Sequence, residues 1–123
     1  MSRERQRWVS VTIAINTATS DAFELAGYKI VHVTTPAAWT AADITFNVDP
    51  TGTGTFTKVI DSAGAAIKIA GIATAAAETY VPPEAGDCIT AQSCKIASTN
   101  TASEADVNQD AARTLIVTIA PLS

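Results

Sequence analysis

Apolar and polar positions alternate along most of this chain, and the alternation predicts strands. In Trp8–Ile15, WVSVTIAI, one set is Val9, Val11, Ile13 and Ile15 and the other Trp8, Ser10, Thr12 and Ala14. A period of two is what a half-buried strand requires, because successive side chains leave opposite faces of an extended backbone. The valine and isoleucine set is the expected inward face. Ala22–Ala26, with Phe23, Glu24 and Leu25 at its centre, reads as a short strand or edge. Tyr28–Thr34, YKIVHVT, is rich in β-branched and aromatic residues and reads as a strand. Unbroken alternation there groups Tyr28, Ile30, His32 and Thr34 against Lys29, Val31 and Val33. Neither group is purely polar, so cover on both sides is expected.

Pro36–Gly64 holds a hairpin. Ile44, Phe46 and Val48 alternate with Thr45 and Asn47, and then Asp49, Pro50, Gly52 and Gly54 interrupt the pattern. Proline fixes φ and the glycines admit positive φ, so the chain turns. Phe56–Ile60 returns, with Phe56, Lys58 and Ile60 on one face and Thr57 and Val59 on the other, and stops at Asp61–Gly64. Ala65–Ile69 predicts a short strand, 71–77 a loop, and Glu78–Val81 a brief strand ended by Pro82 and Pro83. Ile89–Ser98 predicts a strand with Cys94 and Ile96 facing one way, and Thr99–Ala112 a long polar connection. Arg113–Pro121 closes the pattern, with Leu115, Val117 and Ile119 against Thr114, Ile116 and Thr118.

About eight strands with no helical segment imply an all-β, single-domain β-sandwich, jelly-roll-like in strand count. Residues 1–7 read as a basic N-terminal arm and 8–123 as the sandwich domain.

Composition adds a surface to this picture. Of 123 residues 47% are hydrophobic, but aromatics supply only 6% and charged residues only 16%, against about 25% charged in an ordinary domain. A surface so poor in charge must be covered by Thr, Ser, Asn and Ala, which suits a protein packed against other chains. The net charge of −4 argues against nucleic-acid binding, which draws on clustered Lys and Arg. Arg3, Arg5 and Arg7 form the single basic cluster, too small for a phosphate-binding patch but able to reach an acidic neighbouring subunit. No apolar run has the length of a signal-peptide core or a membrane span, so synthesis and folding in a cytoplasm are expected. Free thiols are then expected at Cys88 and Cys94, although a bridge would be possible if the chain folded back between them.

Candidate chemistry is sparse. His32 is the single histidine and has no nucleophile signature beside it. Asp49 and Asp61, or Glu104, Asp106 and Asp110 with Asn108, could offer oxygen ligands to Ca²⁺, but neither set follows a regular loop pattern, and turn-making accounts for them more simply. With two Trp, two Tyr and three Phe, few aromatics remain to line a sugar-hydrolysing cleft. Trp8, Trp39 and Tyr80 are the candidates for stacking on a sugar, but Trp39 is expected to plug the core, and it or Tyr80 would have to be exposed to serve. The expectation is therefore no catalytic residue, no metal and no cofactor.

Three segments carry a resemblance. Pro36–Phe46 (PAAWTAADITF), Asp61–Gly64 (DSAG) and Val107–Leu115 (VNQDAARTL) resemble a group of small tailed-bacteriophage and prophage proteins, over roughly residues 20–120. Glu84–Ser93 departs from the group. The resemblance implies a virion-associated β-protein, a capsid decoration or cement protein or a fibre or spike component, and hence a noncatalytic protein located in the virion. Its partners would be other virion proteins, such as a major capsid protein or fibre and tail subunits, and it would form a homo-oligomer, a dimer or trimer. Arg3, Arg5, Arg7, Trp8 and Ile116 are the residues expected at such a subunit interface. The alternative is a carbohydrate-binding module on the virion surface, using Trp39 or Tyr80.

Overall fold

The computed structural model of the chain describes residues 6–70, 72, 77–81 and 92–121. Among them nine strands form: β1 (Arg7–Ile13), β2 (Phe23–Glu24), β3 (Tyr28–Thr34), β4 (Asp43–Asp49), β5 (Thr57–Lys58), β6 (Lys68–Ile69), β7 (Thr79–Tyr80), β8 (Ser93–Thr99) and β9 (Arg113–Pro121). They make two antiparallel sheets. The first has the order β1-β9-β3-β7, and the second β2-β8-β4-β5 with β6 also on β4.

β5 and β6 occupy one position. The chain pairs Thr57 and Lys58 with Val48 and Asn47, leaves through the Asp61–Gly64 turn, closes that excursion with an Ile60–Ala66 bridge, and returns to pair Lys68 and Ile69 with Thr45 and Ile44. Counting this interrupted strand once gives eight positions in two sheets. In that count the first, eighth, third and sixth lie in one sheet, and the second, seventh, fourth and fifth, the interrupted strand, in the other. That is the jelly-roll arrangement.

The core lies between the sheets. Val11, Ile13, Ile30, Val33, Leu115, Val117 and Ile119 face it from the first sheet, and Phe23, Ile44, Phe46, Ile69, Cys94 and Ile96 from the second. Trp39, 1% exposed, closes one end, its indole N–H donating to the Ala42 carbonyl at 3.3 Å. The plug expected from the sequence is thus in place.

That end is locked by a residue the pattern did not single out. Gln109 is fully buried. Its Oε1 accepts from the Thr40 N–H at 2.9 Å and from Arg113 Nε at 3.2 Å, and its Nε2 donates to the Thr40 carbonyl at 3.2 Å. Its backbone joins the turn after β1, donating to the Thr17 carbonyl and accepting from the Asn16 N–H, each at 2.8 Å. A buried amide satisfied on both sides ties three connections together and leaves none of its polar groups to be desolvated without a partner.

Several expectations change in three dimensions. β1 ends at Ile13, because Asn16 adopts a positive φ of 64° and Thr17 N–H turns back to the Ala14 carbonyl. Ile15 is accordingly 55% exposed and not inward. Arg7 belongs to β1, not to an arm before it. In β3 a bulge between Ile30 and His32 breaks the alternation, so that Ile30 and Val33 are both buried while His32 and Thr34 line up with Thr118 and Ile116 of β9. An extra residue in one strand of a pair moves all later side chains to the opposite face. Ile60 is 55% exposed, while Val59 packs on the core. Cys88, Pro82, Pro83 and most of 71–77 lie outside the described residues.

Candidate interaction surface

The outer face of the first sheet follows from its registers, since residues directly opposite in an antiparallel pair project to the same side. One row is Trp8, Thr118 and His32; the next is Ser10, Ile116, Thr34 and Thr79; a third is Thr12 and Thr114. These three rows hold no Asp, Glu, Lys or Arg, while the next row on the same face sets Lys29 opposite Ala120. Threonine hydroxyls bond to each other along it, Thr12 to Thr114 at 3.0 Å and Thr34 to Thr79 at 2.7 Å. Trp8, 67% exposed, lines a shallow groove with Ile116 and Thr118. Interface cores are enriched in tryptophan and depleted in charge, and the rows of Trp8 and Ile116 have both properties.

β1 also leaves an edge open. Thr12 N–H donates to the Asp21 carboxylate at 3.1 Å, and the Asp21 N–H donates back to the Thr12 carbonyl at 3.3 Å, on the side away from β9. Backbone groups of alternate residues point the same way in a strand, so Trp8 and Ser10 aim theirs at that same edge. Among the described residues no strand pairs there beyond the Ile13–Ser20 bridge.

The other expected interface residues divide. Ile116 is half-buried at the centre of the face, between Ser10 and Thr34. Arg7 is engaged within the chain: its guanidinium lies 5.3 Å from the Tyr28 ring centroid and donates to the Tyr28 hydroxyl at 3.0 Å. There it borders a cleft of about 260 Å³ with Glu24, Leu25 and Ile119. Arg3 and Arg5 lie outside the described residues.

Of the three sugar-stacking candidates Trp8 is exposed, whereas Trp39 and Tyr80 offer no free ring. Trp39 is buried. Tyr80 pairs with inward-facing Val33, packs on the core and donates its hydroxyl to Glu78 at 3.3 Å. Its own burial, and then the Glu78 carboxylate, raise the phenol above its ordinary value.

The acidic residues serve turns. Asp49 accepts from the Gly54 N–H at 2.8 Å, the Gly52 N–H at 3.0 Å and the Thr53 N–H at 3.2 Å. These donors, Gly54 first, hold its carboxyl below the ordinary 3.8 against an opposing push from burial. Gly52 and Gly54 sit at φ of 71° and 92°, which glycine adopts without a Cβ clash. Asp61 accepts from the Ala63 and Ala65 N–H groups, and Asp110 pairs with Arg113. Among the described residues no three His, Cys, Asp or Glu side chains come together as a metal site would need. Cys94 is a buried free thiol pushed up to about 12 by burial, facing the core, and thiolate chemistry is closed to it at neutral pH.

No family model, curated protein or solved structure matches this chain. Among the described residues no helix is long and apolar enough to cross a membrane.

Proposed function

We propose that this protein is a noncatalytic structural subunit of a bacteriophage virion, a capsid decoration or cement protein that binds other virion proteins through the outer face of its first sheet. The observation that carries the reading is the exposed Trp8 beside Ile116, in rows of the outer face that hold no Asp, Glu, Lys or Arg. Desolvating such a face costs little, and covering it gains about 25 cal/mol per Å² of apolar surface.

The phage resemblance supports the setting. Two of its three segments meet in space: Thr40 of PAAWTAADITF and Gln109 and Arg113 of VNQDAARTL share one hydrogen-bonded cluster. A resemblance resting on residues that pack against each other speaks for a shared fold, and the assembly role follows by analogy.

Quantitative mass spectrometry of purified particles of the phage or prophage encoding this chain tests the proposal. Hundreds of copies per particle are expected for a capsid position, and a dozen or fewer would move the protein to the tail. Absence from particles that contain all other structural proteins overturns the reading.

A further inference from the structure

We infer that His32 sets the pH range over which the outer face of the first sheet holds its partner, an inference that rests on the assembly reading above and adds its regulation. The contact forms around a neutral imidazole and loosens when mild acid protonates it.

The β3 bulge puts the group there. Unbroken alternation would leave His32 on the side of buried Ile30, facing the core. The register shift between Ile30 and His32 sends Val33 inward instead and lines His32 up with Thr118, whose partner on the other side is Trp8. Bulges commonly re-aim a side chain beside a functional site. Here one turns the single histidine of the chain onto the row of exposed Trp8.

The surroundings fix the sign of the effect. Thr118 stands opposite His32 on β9, with Ile116 and Ala120 in the rows on either side, and none of the three titrates. β1 brings Trp8 and Ser10 to these rows. β7 brings Thr79 beside Thr34, while Tyr80 lies opposite inward-facing Val33 and bonds to Glu78. On β3 itself Lys29, opposite Ala120, shares the outer face. Among the described residues, then, these four strands aim no carboxylate at the imidazole, and the charge nearest it on the face has the sign that it would gain.

His32 is half-buried, and its ring has no hydrogen-bond or ion-pair partner among the described residues. On the free face water solvates an imidazolium at this position. Covering the face strips that water, and a charge desolvated without a partner is costly, whereas a neutral imidazole is covered far more cheaply. The covered state therefore binds the proton less well than the free state. Affinity is full above the histidine range and is lost as pH falls through it.

Particles assembled without this chain, from a deletion strain of the phage or prophage encoding it, serve as the probe. The full-length protein is titrated onto them and bound copies are counted after sedimentation. Histidine changes charge between about pH 5 and 8, so wild-type affinity should fall at least about fivefold from about pH 7.5 to about pH 5.5. In His32→Gln the two affinities should be equal, whatever their absolute value, because glutamine stays neutral across the range. His32→Lys should bind at the higher pH no better than wild type does at the lower. Circular dichroism at both pH values checks the fold of each variant, and using the same particles throughout removes any effect of acid on the particle. Equal pH dependence in wild type and His32→Gln overturns the inference, as does wild-type binding that tightens in acid, the mark of a partner carboxylate facing His32. Binding at neither pH overturns the assembly reading and this inference with it. Binding of unchanged affinity at both overturns this inference alone.

Discussion

The two sheets treat their outer faces in opposite ways. On the second sheet that face carries Asp43, Thr45, Ala97 and Thr99, all buried although they point away from the core. Lys68, opposite Thr45, sends its ammonium to Asp43 Oδ2 at 3.5 Å and to the Thr101 carbonyl at 3.4 Å. Lys58 reaches the Glu104 carbonyl at 3.1 Å, so the polar connection after β8 is drawn toward the sheet. Lys95, also on this side, places its ammonium 4.6 Å from the Phe56 ring centroid. This chain therefore spends much of its scarce charge on the second sheet. The outer face of the first sheet holds Thr, Ser, Ile116, His32 and exposed Trp8, with Lys29 opposite buried Ala120 at one end.

The largest test of this contrast sets the two tryptophans against each other. Trp39→Ala should cost about 3–5 kcal/mol, as expected for emptying a buried aromatic site, whereas Trp8→Ala should change the stability of the monomer by no more than about 0.5 kcal/mol. Urea unfolding of both variants at dilute concentration reads the difference, and equal losses would mean that Trp8 belongs to the fold. Next in size is Gln109→Ala. It strips partners from the buried Thr40 backbone and Arg113 Nε and should cost about 2–3 kcal/mol, since each buried group left unpaired costs about 1–3 kcal/mol.

A smaller effect of opposite sign sharpens the comparison of faces. The Thr45 hydroxyl is buried without a hydrogen-bond partner among the described residues, so Thr45→Val should stabilise by about 1 kcal/mol. The same change at exposed Thr114 should be near neutral, and thermal melts of the pair would show it. The least effect is expected at the loop after β4. The folded pKa of Asp49 is depressed below 3.8, so its contribution is fully present above that value and is lost as pH falls through the folded pKa. Wild type and Asp49→Asn should differ at pH 7 and converge under acid; a gap persisting at the lowest pH where the protein still folds would remove the carboxylate from the account.

Much of this contrast was legible before folding. β3 and β9 lie where the alternation puts them, over Tyr28–Thr34 and Arg113–Pro121, because β-branched runs bounded by turn residues leave few alternatives. Ile116 on the outward face was legible too, as period two assigns it there once Leu115 and Val117 are inward. The β3 bulge was not, since an extra residue leaves no mark in a pattern whose faces are both apolar. Nor was Gln109, for a glutamine in a polar connection reads as solvent-facing until Thr40 and Arg113 are brought to it from distant sequence positions.

By itself, then, the sequence determined an all-β sandwich, its turns at Asp49–Gly54 and Asp61–Gly64, and a surface short of charge, because these depend on neighbours along the chain. Only the tertiary structure decided which sheet received most of the charges, that Gln109 is buried, and that among the described residues no strand pairs with β1 on the side away from β9 beyond the Ile13–Ser20 bridge. Those outcomes depend on which strands become neighbours in space, and sequence periodicity contains no information about that order.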